Sequence, residues 1–183
     1  MKYFFASDLH GSISACEAIL ARFSAEKADR LILLGDLLYL GPRNDLPEGC
    51  APKAVTALLN GFSPTPLCVR GNCDAEVDQM VLTFPIMADY ALLPLAGTRC
   101  AFLTHGHLFN TQNPPPHVPG DVLIHGHTHI HCIEEQKDYV YINPGSASMP
   151  KGGQPKSYMI YEEGLFSIRD LEGKLLLEYR IKA

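Results

Sequence analysis

Five short blocks of this sequence join carboxylate, imidazole or carboxamide side chains to glycine. They are Asp8-Leu9-His10-Gly11, Gly35-Asp36, Gly71-Asn72-Cys73-Asp74, Thr104-His105-Gly106-His107 and Gly126-His127-Thr128-His129. Two carboxylates, three or more imidazoles and one carboxamide make a mixed oxygen and nitrogen donor set. Such a set suits Mn, Fe, Zn, Ni or Co, whereas Ca prefers oxygen alone and structural Zn prefers thiolates. At least seven candidate donors are available, too many for one tetrahedral ion. They fit two ions that share a bridging carboxylate at ~3.5–4 Å, the separation used for phosphoryl displacement. The glycines let the backbone turn sharply and approach an anion closely.

Each block follows a segment that reads as an apolar strand. Residues 2–6 are short and aromatic-rich, and Arg30 to Leu34 and Pro66 to Val69 are similar runs. Ser12 is placed to cap a helix over 13–25, and Pro52 to begin another. Alternation of strand and helix predicts right-handed βαβ units and a mainly parallel sheet. In such sheets functional groups gather beyond the carboxyl ends of strands, so distant blocks can meet at one rim. Helix signals fade after about residue 82. Runs near 89–95, 99–104, 121–125, 131–135, 138–142, 157–162, 164–170 and 174–181 read as strands. Glu163-Gly164 and Glu172-Gly173 mark tight turns in a C-terminal antiparallel meander, which predicts a second sheet packed on the first. Residues 110–120 form a proline-rich loop. With neither repeat nor linker, 1–183 reads as a single domain.

Composition narrows the function. Of 183 residues 46% are hydrophobic and 19% charged, which excludes a disordered, self-repelling chain. The net charge of −5, without a block of Lys or Arg, argues against nucleic acid as partner. No run of ~18 apolar residues predicts a membrane span. The apolar N-terminal run ends at Asp8, so the expectation is a cytoplasmic protein. The six cysteines contain no C-x-x-C pair and read mostly as small buried hydrophobes.

The order D-x-H, G-D, G-N-x-D, T-H-G-H and G-H-x-H resembles that of calcineurin-like metallophosphoesterases over residues 8–129, and Asn143-Pro144-Gly145-Ser146 extends the match. Small size, G-N-C-D and the segment Gly41-Pro42-Arg43-Asn44 are similar to the branch of small YfcE-type phosphodiesterases. The resemblance implies an α/β fold, a four-layer αββα sandwich of two mixed β-sheets flanked by helices. It implies that Asp8, His10 and His129 bind a first metal, that Asp36 bridges, and that Asn72, His105 and His127 complete the second. It implies two divalent ions, Mn2+ first, with Fe, Zn, Ni, Co or Mg as alternatives. A hydroxide held between them would attack phosphorus of a small phosphodiester in line.

Two departures stand out. Cys73 occupies the position of a histidine taken to protonate the leaving alkoxide or to steady phosphoryl charge, and a thiol is a weak donor that does not become cationic. Tyr39 stands where the pattern has a polar residue. Asn72 is expected to serve both metal and substrate, and Arg43 could clamp a phosphate oxygen through its planar fork. Taken singly, Asp8 or Asp36 could cap a helix, and Asn72 could sit in a turn. His125, His127, His129 and His131 would share one face of a continuous strand. Gly126 ends that strand near 125, which leaves His127 and His129 as ligands and His125 and His131 outside. Phosphomonoesterase activity on nucleotides or phosphoproteins, and a non-catalytic Vps29-like scaffold, are the competing readings. The meander offers a surface for a homo-oligomer.

Overall fold

The computed structural model describes residues 1–42, 44–95 and 97–181. Strand β1 (Tyr3–Ala6) is followed by α1 (Ile13–Glu26), where the Ser12 hydroxyl accepts the Ala15 N–H at 3.3 Å as the N-cap. Ala15, Cys16, Ile19 and Phe23 form the buried face of α1. Then come β2 (Arg30–Leu33), α2 (Pro52–Asn60) with proline in its first turn, β3 (Leu67–Cys68) and the single turn α3 (Glu76–Gln79). The remainder is β4 (Tyr90–Pro94), β5 (Cys100–Thr104), β6 (Val122–Ile124), β7 (Cys132–Glu135), β8 (Val140–Asn143), β9 (Ser157–Glu162), β10 (Leu165–Asp170) and β11 (Leu175–Arg180).

These strands make two mixed sheets, ordered β11-β10-β9-β1-β2-β3 and β4-β5-β6-β8-β7. Alternate residues of the first sheet face opposite ways. Phe4, Ala6, Leu31 and Leu33 pack with Ile19, Phe23, Val55 and Leu59 of α1 and α2. Phe5, Ile32 and Leu34 pack between the sheets with Leu103, Ile124 and Ile142 of the second. Each large apolar side chain taken fully out of water stabilises by ~1.5–3 kcal/mol, so this shared layer holds the sheets in fixed relation.

Two details depart from the expectation. The C-terminal meander joins the first sheet, with β9 antiparallel to β1, and the second sheet is built from residues 90–143. Tyr158 to Tyr161 are buried on both faces of β9, so polarity did not reveal which sheet would accept the strand. The outer face of the second sheet, with Phe102, Leu123 and Tyr141, is covered by Phe109, Tyr139 and the proline-rich loop rather than by a helix. The two-sheet sandwich itself is as expected. Among the described residues no helix is long and apolar enough to cross a membrane.

The topology places the chemistry. β1, β2 and β3 run parallel, as do β5, β6 and β8, so the loops leaving their carboxyl ends collect at one rim. Beyond β1 the backbone keeps a ladder with the segment beyond β2, through Asp8 N–H to the Gly35 carbonyl (3.2 Å) and His10 N–H to the Asp36 carbonyl (2.9 Å).

Candidate metal centre

Asp8 lies two residues beyond β1, and its exposure is 0%. Its carbonyl accepts the hydroxyls of Ser146 (3.0 Å) and Ser148 (2.7 Å), while Oδ2 accepts the His127 N–H (3.1 Å). Oδ1 is buried and makes no well-aligned hydrogen bond, although His129 Nε2 lies 3.2 Å away. Burial alone would raise this carboxyl. The contact with His129 and the charges of His105, His129 and His10 outweigh it and hold it well below the usual carboxylate range.

Asp36 follows β2. Oδ1 accepts the Cys73 N–H (2.8 Å), and Oδ2 lies 3.8 Å from His10 Nε2 and 3.4 Å from His105 Nε2. This carboxylate therefore stands between two groups of imidazoles. Burial pushes Asp36 up, but the bond and charge of His105 bring it net below its ordinary value. Gly71 packs directly on it, and a β-carbon at 71 would collide with the Asp36 carboxylate.

Three imidazoles are oriented alike. Nδ1 of His10 meets the Tyr39 carbonyl (2.8 Å), Nδ1 of His129 the Met149 carbonyl (2.7 Å) and Nδ1 of His105 the Leu34 carbonyl (2.7 Å). A carbonyl only accepts, so each Nδ1 carries hydrogen and Nε2 is left to face the centre as proton carrier or ligand. His10 Nε2 is 3.2 Å from His129 Nε2. His105 Nε2 is 3.0 Å from Asn72 Oδ1 and 3.2 Å from His127 Nδ1. The Asn72 amide NH2 donates to Cys73 Sγ (3.2 Å), which fixes its oxygen inward.

Backbone strain converges on the same residues. Asp8, His10, Asp36, His127 and His129 all have positive φ, between 47° and 66°. Non-glycine residues rarely adopt that region, and such outliers concentrate at functional sites. Gly126 makes room here as well, because a β-carbon would meet Ser7 Oγ and lie 2.6 Å from Asp8 Oδ2.

The donors fit a cation. Asp8, His10 and His129 offer atoms within 4.8 Å of one another, as do Asp8, Asp36 and His105, and His10, Asp36 and Cys73. Positive charge is favoured in this space: burial would lower His105, but Asp36 and Asp8 raise it to about 9, and Asp8 likewise raises His129. An orphaned carboxylate oxygen among facing imidazole nitrogens is the arrangement a divalent ion satisfies.

All seven predicted ligand positions and Cys73 thus lie around one rim. Asp8 and His105 are buried, and the other five and Cys73 line a cleft of about 870 Å³ together with Tyr39 and Lys151. Burial, then Asp36, pushes the Cys73 thiol up to about 12, so it stays neutral. Arg43 lies outside the described residues. His125 and His131 stay outside the cleft. His125 stacks on Tyr141, with centroids 4.4 Å apart, and burial pulls it down to about 4. His107 lies beside His105, with centroids 5.5 Å apart, and faces a neighbouring cavity.

Sequence reasoning assigned no role to the residues that brace the donors. Asp74 accepts the N–H groups of Asp36 (2.8 Å), Leu37 (2.9 Å) and Gly71 (2.7 Å), tying the loop after β3 to the loop after β2. Its place inside Gly71-Asn72-Cys73-Asp74 was the available signal. Ser148 carried none, since a buried serine bound to a carbonyl has no sequence signature.

The chain matches the family model described as the calcineurin-like phosphoesterase superfamily domain over residues 1–164. It is 46% identical over 177 residues to phosphodiesterase YfcE of Escherichia coli (strain K12), covering 97% of this chain and 96% of that protein. It is 30% identical to the probable metallophosphoesterase YsnB of Bacillus subtilis (strain 168), covering 97% of this chain and all of that protein. The solved structure of YfcE, a phosphoesterase from E. coli, superposes with a TM-score of 0.95 at 45% identity over the full length of both chains. Two mixed sheets with a carboxylate–imidazole rim, and a relative of this identity over nearly the whole length, make the chain a member of the calcineurin-like phosphoesterase superfamily.

Proposed function

We propose that the chain is a phosphodiesterase that works with two divalent ions and hydrolyses small phosphodiesters. The observation that carries this is the position of Asp36, whose Oδ2 faces His10 Nε2 on one side and His105 Nε2 on the other. In this reading Asp8, His10 and His129 hold one ion, Asn72, His105 and His127 hold the second, and Asp36 is shared. Mn2+ suits the mixed donor set, and Fe, Zn, Ni, Co or Mg are accommodated by the same chemistry. When bound, the pair supplies hydroxide at neutral pH and offsets charge on phosphoryl oxygens.

The chain's own residues do the rest. The Asn72 amide sits at the exposed edge of the centre, where it can also reach a substrate oxygen. Among the described residues Lys151 is the single lysine or arginine lining the cleft, enough for the monoanion of a diester and less suited to a monoester dianion. Cys73 stays protonated and is a weak donor, so the side chain at this position does not strongly protonate a departing alkoxide. That favours diesters with good leaving groups. The carbonyl braces on His10, His105 and His129 hold three imidazoles ready without rearrangement.

The test is metal analysis of the purified chain, followed by steady-state comparison of an aryl phosphodiester and an aryl phosphomonoester with added Mn2+. Two ions per chain and at least about tenfold higher kcat/KM on the diester are expected, a difference of ~1.4 kcal/mol. Preference for the monoester would make it a phosphatase, and neither metal nor hydrolysis would make it a scaffold.

A further inference from the structure

A second cavity, of about 450 Å³, lies on the other side of His127 and Thr128, the two residues it shares with the cleft. His107 and Gln112 of the loop after β5, His125, and Cys132, Glu134 and Tyr141 of the second sheet line it. Nothing in the proposed hydrolysis uses these groups apart from the shared His127.

Two features show what it would accept. The first is unsatisfied hydrogen-bonding capacity. His125 is 2% exposed and its Nε2 has no partner, and the buried Nδ1 of His107 has none either. His125 cannot easily swing away, because Nδ1 is 3.0 Å from the Gly126 carbonyl and the ring stacks on Tyr141. Buried polar atoms without partners are rare and unfavourable, and both of these belong to rings that line the cavity. The second is charge. Among the described residues no lysine or arginine lines this cavity, and Glu134 is its one acidic residue. A second phosphate or a carboxylate would meet no counter-charge there. A neutral group rich in hydroxyl or amide functions would find imidazole, carboxamide, thiol and phenol partners.

We propose that this cavity is a subsite for one alcohol arm of the phosphodiester, and that it selects an uncharged arm bearing several hydroxyl or amide groups. A polyol and a nucleoside share that chemistry. The proposal rests on the phosphodiesterase reading: with phosphorus in the cleft, one arm crosses Thr128 into the cavity while the other remains on the Tyr39 side. Specificity of this kind arises because a site built for hydrogen bonds discriminates against an arm that cannot make them.

The experiment uses the full-length, Mn2+-loaded protein and three diesters with the same 4-nitrophenyl leaving group, the second arm being methyl, glyceryl or thymidine-5′-yl. Wild type is expected to show a KM at least about tenfold lower for the glyceryl or the thymidyl ester than for the methyl ester, with similar kcat. A preference for glyceryl assigns the polyol, and one for thymidyl the nucleoside. Gln112→Ala, on an exposed loop, and Cys132→Phe, which fills the cavity, are both expected to bring that KM ratio towards one. Equal KM values for all three esters in wild type, or a ratio that neither variant moves, would overturn the subsite. Hydrolysis of the methyl ester tests the phosphodiesterase reading on its own, so the two failures are told apart. Should no ester be hydrolysed, both fall together.

Discussion

The two halves of the candidate metal centre are built differently. Around Asp8, His10 and His129 every side chain is buried, with exposures of 0, 1 and 3%. Both imidazoles lean on backbone carbonyls, and two serine hydroxyls clamp the Asp8 carbonyl. Around Asn72 and His127 the support is thinner. Asn72 is exposed and donates to a thiol sulfur, and His127, half-buried, meets His105 Nε2 rather than a carbonyl through its Nδ1. Rigid, braced donors hold a cation with less loss of side-chain freedom than mobile ones, so on the proposed two-ion reading the buried half is expected to be the tighter site and the exposed half the place where substrate exchanges.

Asp36 joins the halves, which makes it the position where the comparison breaks most completely. Asp36→Ala is expected to lower kcat/KM by at least about 10³-fold, because in the proposed two-ion reading one carboxylate serves both ions and positions the charge that stabilises the transition state. Metal analysis of the same variant should find neither site filled at micromolar Mn2+. Retention of one full equivalent together with activity within tenfold of wild type would show that the halves are independent.

Stepwise metal loading sharpens the contrast. After chelation, calorimetric titration with Mn2+ is expected to resolve two steps. His127→Ala should remove the weaker step, leave the tighter one and cost about 10²-fold in turnover; His10→Ala should remove the tighter one. Loss of the tighter step in His127→Ala would reverse the assignment. Asp74 offers a structural counterpart, since it binds no candidate ion yet fastens both loops. Asp74→Ala leaves three buried N–H groups without an acceptor, at ~1–3 kcal/mol each. The expectation is a fall in unfolding free energy of about 3 kcal/mol or more in urea, with Asp74→Asn milder because one carbonyl acceptor survives. A change below 1 kcal/mol would mean that the loops hold together without it.

How far the sequence exposed this arrangement follows the same division. Donor types were readable because carboxylate and imidazole stand next to glycine after apolar runs, and the parallel order of β1, β2 and β3 then carries Asp8, Asp36 and Asn72 to one rim. The reading of a strand break at Gly126 set His127 and His129 apart from His125 and His131, and in the structure β6 ends at Ile124 with left-handed backbone at 127 and 129. The braces were illegible. A carbonyl of Tyr39 or Met149 has no residue type, and the buried Ser148 looks like any serine. Sheet membership of the meander was also hidden, because a strand buried on both faces has no polarity to orient it. The second cavity was hidden for a further reason: it is bounded by two loops and two strands whose polar residues are far apart in sequence.

Cys73 tests the exposed half most finely. Its thiol lines the cleft beside Asn72, and burial together with Asp36 keeps it protonated and uncharged. An imidazole at this position would add a donor that can become cationic, in a cleft where Lys151 is the single lysine or arginine among the described residues. Cys73→His is therefore expected to raise kcat about tenfold on diesters with alkyl leaving groups, below the 10²–10⁴-fold of a fully positioned general acid because the loop was not shaped around it. The gain should shrink with 4-nitrophenyl leaving groups, which depart without a proton. Metal content must stay equal to wild type, since the new ring stands close enough to Asp36 to act as a ligand instead. Unchanged or lower turnover on alkyl esters, with both ions still bound, would mean that alkoxide departure is not what limits this half of the centre.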